Sequence, residues 1–311
     1  MPITRRRLIT ISAALALPPA VTRAAPQVSK FWTGQALGAR ASIRIDHPDA
    51  EAITARVLAE IDRLEDILSL YRAHSALARL NREGHLAEPP FELLECLSLA
   101  AAVNHASGGR FDPTVQPLWA LWAEAAARGG QPDAPAIAVA KALVGWDKVE
   151  MDAAKISLRP GMALTLNGIG QGYVADRVAA LLEAEGLTNV LIDTGEFRAL
   201  GGTPTGGDWP VRTEAGGFVG LRQRALATSS PLGTTFDAAG RQGHILDPVS
   251  GMPAPAVWRA VSISAPTAAV ADALSTTACL LEDVSQMEFL IREFPGSRLE
   301  AAGRWSALFH N

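Results

Sequence analysis

Ile53, Val57, Ile61, Leu64 and Leu68 recur at three- and four-residue intervals after the break at Pro48-Asp49. This spacing predicts an amphipathic helix over 49–69. Similar patterns predict helices over 90–107, ended by Gly108-Gly109, over 115–127 and over 136–144. Residues 36–46 instead alternate, with Ala41, Ile43 and Ile45 on one face, as a strand does. Val149–Leu158 reads as a hairpin turning near Asp152-Ala153. The centre of the chain reads as strand, glycine turn and helix: Ala163–Leu166, then 167–172, then Tyr173 to about Glu185. Val190–Asp193 is a further strand, leading into a turn at Thr194-Gly195-Glu196. Trp209–Arg212, Phe218–Arg222 and Trp258–Ser264 suit an antiparallel sheet, and Ala268–Leu281 and Val284–Glu293 suit helices, with two short strands closing the chain. Helices mixed with hairpins rather than strict βαβ units make the class α+β, antiparallel sheets with packed helices.

The N-terminus does not fit this pattern. Thr4-Arg5-Arg6-Arg7-Leu8-Ile9 is a twin-arginine sequence, an apolar run reaches Leu17, and Val21-Thr22-Arg23-Ala24 is a small-residue exit. Residues 1–24 therefore read as an export signal cleaved after Ala24, with 25–311 the folded domain. The apolar run is too short for a permanent membrane span, although an uncleaved anchor is the alternative. Losing residues 1–24 removes four arginines and no acid, which moves the net charge from −4 to −8. Such a chain is not expected to bind nucleic acid or anionic lipid. Cys96 and Cys279 each sit in an apolar, helical run and read as buried small hydrophobes rather than a disulfide.

Five short segments carry candidate chemistry. Asp272 and Thr276 are four residues apart on a predicted helix and share a face. A carboxylate and a hydroxyl are hard ligands of the kind Mg²⁺ takes beside phosphates. Taken alone, the pair favours the plainer reading of an acid at a positive helix end and a buried hydroxyl. Gly168, Gly170 and Gly172 form a turn that lets backbone approach a ligand, or lets a helix pack closely. Arg110-Phe111-Asp112-Pro113-Thr114 is either a ligand-contacting loop or a helix cap. Tyr71 beside Arg72 has the character of a ring-stacking residue or of an amphipathic helix end, with Asn81 shortly after. His244, one of six histidines, is a candidate base for an acceptor hydroxyl, because histidine titrates near neutral pH.

In order along the chain these segments resemble the ApbE family of FAD:protein FMN transferases, from about Phe31 to Leu281. The resemblance is carried by Leu37-Gly38-Ala39, by Ser69–Asn81, and by Ser107–Val115, which matches Ser-Gly-Gly-x-Phe-Asp-Pro-Thr-Val closely. It continues through Asn167–Asp176, Thr194-Gly195-Glu196, Thr228-Ser229-Ser230, His244–Pro248 and Asp272–Thr276.

The resemblance implies a T-fold-like architecture. It also implies Mg²⁺ held by Asp272, Thr276 and the Gly168 carbonyl, bridging the pyrophosphate of FAD, which is the substrate. Leu37, Tyr71, Arg110, Phe111, Asp112, Thr165, Gln171 and Ile245 match positions lining the family's FAD pocket, and His244 would assist deprotonation. Many members carry charged residues where this chain has the neutral Thr165 and Gln171. The implied partner is an exported acceptor flavoprotein of a respiratory electron-transfer complex, flavinylated on Thr or Ser with release of AMP. An FAD pyrophosphatase giving FMN and AMP, and a flavin carrier without catalysis, are the alternatives.

Overall fold

A computed structural model describes residues 30–305 apart from 38, 46 and 215. The export signal therefore lies outside the described residues. Seven strands form the main sheet: β1 Lys30–Ala36, β2 Ala39–Ile45, β6 Val190–Asp193, β7 Phe197–Leu200, β10 Ala225–Ser229, β11 Trp258–Ala265 and β12 Arg298–Arg304. They are paired in that order, and every pairing is antiparallel. β3 His85–Ala87, β4 Glu150–Met151 and β5 Lys155–Ser157 form a small second sheet, and β8 Trp209–Arg212 with β9 Phe218–Leu221 form a two-stranded ribbon. The expected α+β class with antiparallel sheets is what the chain adopts.

The helices are α1 Ala50–Leu68, α2 Ala76–Glu83, α3 Phe91–Ala106, α4 Gln116–Ala127, α5 Ala134–Ala142, α6 Gly170–Ala184, α7 Ala268–Ala278 and α8 Val284–Arg292. α1 buries Ile53, Val57, Ile61, Leu64 and Leu68, the stripe read from the spacing. α6 and α7 pack on each other, α1 lies on α6 and α3 on α7, and α7 covers β10 and β11. Small residues set the last of these distances. Ala175, Ala225, Ala227, Ala265, Ala268 and Ala271 form one buried cluster, which lets two helices and two strands approach closely. Cys96 and Cys279 are free and buried, as expected.

Three expectations are corrected. Ala163–Leu166 forms no strand and belongs to no sheet. The Asn81 side chain takes the place of a neighbouring strand, accepting from Leu164 N at 2.7 Å and donating to Leu164 O at 2.8 Å. The helix after the glycine turn begins at Gly170, three residues before Tyr173, so two of the turn's glycines are helical. One strand, β12, closes the described chain in place of two. α2 and the short strands β3, β7 and β10 are additions that the pattern did not predict singly.

Candidate active site

The site forms where the N-terminus of α6 meets the face of α7. Gly172 has no side chain because there is no room for one: a Cβ there would lie 2.2 Å from the Ala268 carbonyl oxygen. The two helices are also tied end to side. Ala268 N and Ala269 N, at the start of α7, donate to the Asp176 carboxylate of α6 at 2.8 and 2.9 Å. Thr267, the residue preceding α7, gives no side-chain cap, so Asp176 supplies that function from another helix. Arg198 Nε donates to the same carboxylate at 3.1 Å. Burial still raises the Asp176 carboxyl above the usual range, against these bonds.

Asp272 projects from α7 into this junction and is 3 % exposed. Its carboxylate accepts from Gly172 N at 3.2 Å, the one hydrogen bond of that side chain among the described residues. A carboxylate has room for about four. Burial pushes its carboxyl up to about 7, with the Gly172 N–H pulling more weakly the other way. Glu196, also buried, accepts from Thr228 N at 3.1 Å. Its carboxyl is raised well above the usual range, first by burial and then by the charge of Asp272.

Thr276 lies one turn beyond Asp272 and is only partly buried. A Cβ on Gly168 would lie 3.2 Å from Thr276 Oγ1 and 3.1 Å from Phe111 Cε2, so the Gly168 backbone stands against both. Leu37 reaches the same turn, with Cδ1 3.0 Å from a Cβ built on Gly170. Its φ of 47° is in the left-handed region, and Glu65 Oε1 accepts from its N–H at 2.7 Å. Leu37, Phe111, Gly168 and the α7 pair Asp272 and Thr276 are thus gathered in one place from four separated segments.

The remaining predicted residues are held by bonds of their own. Tyr71 is 72 % exposed, with its N–H on Ser69 Oγ, so its ring is open to a ligand. Its neighbour Arg72 is engaged by Asp62, Glu65 and Asp66. Arg110 reaches the Leu280 carbonyl at 3.5 Å. The Asp112 carboxylate accepts from Thr114 N at 2.8 Å, Thr114 Oγ1 at 2.6 Å and Trp146 N at 3.2 Å. That is the capping role weighed for it. Thr165 accepts from Asn167 N at 3.2 Å, and the Gln171 carbonyl accepts from Thr194 Oγ1 at 3.3 Å. His244 Nδ1 lies 3.1 Å from the Thr234 carbonyl, which only accepts, so Nδ1 is the donor in that contact. Ile245 is buried beside it, with its carbonyl bonded to Ala254 N.

Sequence reasoning missed the roles of Asp176, Asn81 and Ser229. Ser229 lay inside a quoted motif, and Asp176 and Asn81 at the ends of two others. Their partners are 92, 83 and 47 residues away.

The ApbE family model matches residues 37–298. An FAD:protein FMN transferase of Treponema pallidum is 30% identical over 287 residues, covering 83% of this chain and 79% of its own length. One from Klebsiella pneumoniae is 28% identical over 265 residues, covering 79% and 74%. The apo structure of the Pseudomonas stutzeri flavinyl transferase ApbE superposes with a TM-score of 0.76 at 29% identity, covering 85% of this chain and 88% of that one. The ApbE protein of Thermotoga maritima also gives 0.76, at 25% identity, covering 90% and 98%. With a match over most of its length and relatives of the same name, the chain belongs to the ApbE family.

Proposed function

We propose that this protein transfers the FMN moiety of FAD to a Thr or Ser hydroxyl of an acceptor flavoprotein, in a Mg²⁺-dependent reaction that releases AMP. The observation that carries the metal-dependent reading is the under-bonded, buried Asp272 carboxylate beside Thr276 Oγ1 and the Gly168 backbone.

These residues fit a hard divalent cation. Asp272 is ionised at a cost in this junction, its charge also raises the neighbouring Glu196 carboxyl, and a cation would offset both. No group of three or more His, Cys, Asp or Glu suited to a metal exists among the described residues. One acid with neutral oxygens suits Mg²⁺, which retains water and takes ligands from substrate phosphates. Asp272, Thr276 and the Gly168 carbonyl would hold it. When bound, the ion would neutralise pyrophosphate charge.

The chain's own residues do the rest. The glycine turn brings backbone close to the pyrophosphate, and the exposed Tyr71 ring offers a stacking surface for an aromatic ring of FAD. Phe111 and Leu37 narrow the space around Gly168 and Gly170 and exclude water. The acceptor hydroxyl oxygen forms a bond to the FMN-side phosphorus, and the bond from that phosphorus to the bridging oxygen breaks. The bridging oxygen leaves with AMP. The hydroxyl proton passes to His244 Nε2, with Nδ1 donating to the Thr234 carbonyl.

Purified protein incubated with FAD, MgCl₂ and a threonine-bearing acceptor is expected to give an acceptor that stays fluorescent on a denaturing gel. Label that forms equally without divalent cation overturns the metal-dependent mechanism. AMP released at the same rate without acceptor identifies a pyrophosphatase, and FAD binding without turnover identifies a carrier. We also propose that residues 1–24 direct export, so that the acceptor is met outside the cytoplasm, in a respiratory electron-transfer complex. An Arg5→Lys, Arg6→Lys double variant should then stay in the cytoplasmic fraction, and unchanged export would remove the twin-arginine assignment.

A further inference from the structure

Behind the proposed cation ligands runs a chain of three hydroxyl groups. Thr276 Oγ1 lies 3.2 Å from Ser229 Oγ, and Ser229 Oγ lies 2.7 Å from Ser275 Oγ. Ser275 Oγ donates to the Asp272 backbone carbonyl at 3.0 Å. Ser275 is fully buried, and Ser229 sits on β10 against α7, paired in the sheet with Val261.

The last acceptor fixes the direction of the whole chain. A carbonyl oxygen has no hydrogen, so Ser275 must give its single hydroxyl hydrogen to Asp272 O. The short Ser229–Ser275 contact then requires Ser229 to be the donor. Ser229 has spent its hydrogen, so the contact with Thr276 requires Thr276 to donate. The Thr276 hydrogen is therefore held toward Ser229, which leaves the lone pairs of Oγ1 for another partner. A neutral hydroxyl binds a cation only through its lone pairs, and a hydrogen aimed at the cation opposes binding. Donation also makes the Thr276 oxygen a more basic ligand, and each bond in such a chain polarises the next.

We propose that Ser229 is a positioning residue, which through Ser275 holds the Thr276 hydroxyl with its lone pairs toward a divalent cation. This rests on the reading of Asp272 and Thr276 as cation ligands. Ser229 is not itself placed as a ligand. The relay also couples the two ligands, because it starts at Thr276 and ends on the backbone of Asp272.

The test is a Mg²⁺ titration of the purified full chain, read as the rise in thermal midpoint with MgCl₂ alone and separately as flavin transfer. Ser229→Ala is expected to raise the half-saturating Mg²⁺ concentration about tenfold in both readouts, the range for partners that orient a metal ligand. The transfer rate at saturating Mg²⁺ should change little. Ser229→Thr, which keeps the hydroxyl, should restore most of the affinity. Ser275→Ala frees Ser229 to turn its hydrogen toward Thr276 and should weaken Mg²⁺ in the same direction, which keeps the test open if Ser229→Ala does not fold. The matched control is Ser262→Ala, which removes a 2.8 Å hydroxyl contact with Thr228, one register position along the same β10–β11 pair, without touching the relay. It should leave the Mg²⁺ requirement unchanged. A Mg²⁺ titration of Ser229→Ala that overlays the unaltered protein, or an equal shift in Ser262→Ala, overturns the relay alone. An unaltered protein indifferent to divalent cations in both readouts overturns the ligand assignment beneath it.

Discussion

Asp272 and Thr276 were visible in the sequence as a pair on one helix face, and α7 places them so. What the spacing did not carry was their surroundings. The single weak bond from Gly172, the neighbouring Glu196 and the touch of Gly168 on Thr276 all come from segments far away in the chain. Asp112 went the other way, since a motif residue implied to face FAD spends its carboxylate on Thr114 and Trp146. Two outcomes follow for single residues. Asp272→Asn removes the one acidic ligand and should lower flavin transfer by at least about 100-fold, a few kcal/mol of lost charge stabilisation. His244→Ala should lower the transfer rate by about 100-fold or more, the usual worth of a positioned base. It should leave FAD affinity near that of the unaltered protein, which equilibrium dialysis against FAD would check. A proportional loss of FAD binding instead would make His244 a binding residue.

At the scale of elements, long amphipathic helices were legible and short strands were not. α1 and α3 were bounded to within about a residue because their apolar stripes are long. β7 and β10 have four and five residues, and their pairing is decided by the sheet rather than by their own pattern. The segment at 163–166 reads as a strand but pairs with none; the partner of Leu164 is a side-chain amide, which no periodicity reveals. The α6–α7 junction makes the strongest element-level predictions. Gly172→Ala would drive a methyl carbon into the α7 backbone, which cannot move like a side chain. The expected cost is about 3 kcal/mol or more, at the upper end of overpacking penalties. It should appear as a lower urea midpoint with an unchanged slope. Asp176→Ala leaves two N–H groups at the start of α7 without their cap and should cost about 2 kcal/mol. Hydrogen exchange in the first turn of α7 should rise more than in α1, because the cap acts on α7 alone.

At the scale of the whole molecule, the buried acids that respond to pH are the ones at the proposed cation site. The Asp272 carboxyl sits at about 7 in the folded chain and near 4 in an unfolded one. Between those values the folded state binds more protons than the unfolded state. Stability contributed by this group is therefore highest at low pH and falls as pH rises through about 7. Glu196, raised in the same direction by burial and by the charge of Asp272, adds to the slope. A divalent cation at the proposed site would bind the ionised form and reverse the balance, so its effect would grow as pH rises. The expected result is a thermal midpoint that, without metal, declines from pH 5 to pH 8, and that MgCl₂ raises clearly at pH 8 but little at pH 5. At about 100 times its dissociation constant the cation would add roughly 2.7 kcal/mol. In Asp272→Asn the Mg²⁺ effect should vanish at both pH values and the decline should flatten, because the group that titrates is also the ligand. A Mg²⁺ effect of equal size at both pH values would place the cation on a group that is already ionised at pH 5, away from this junction.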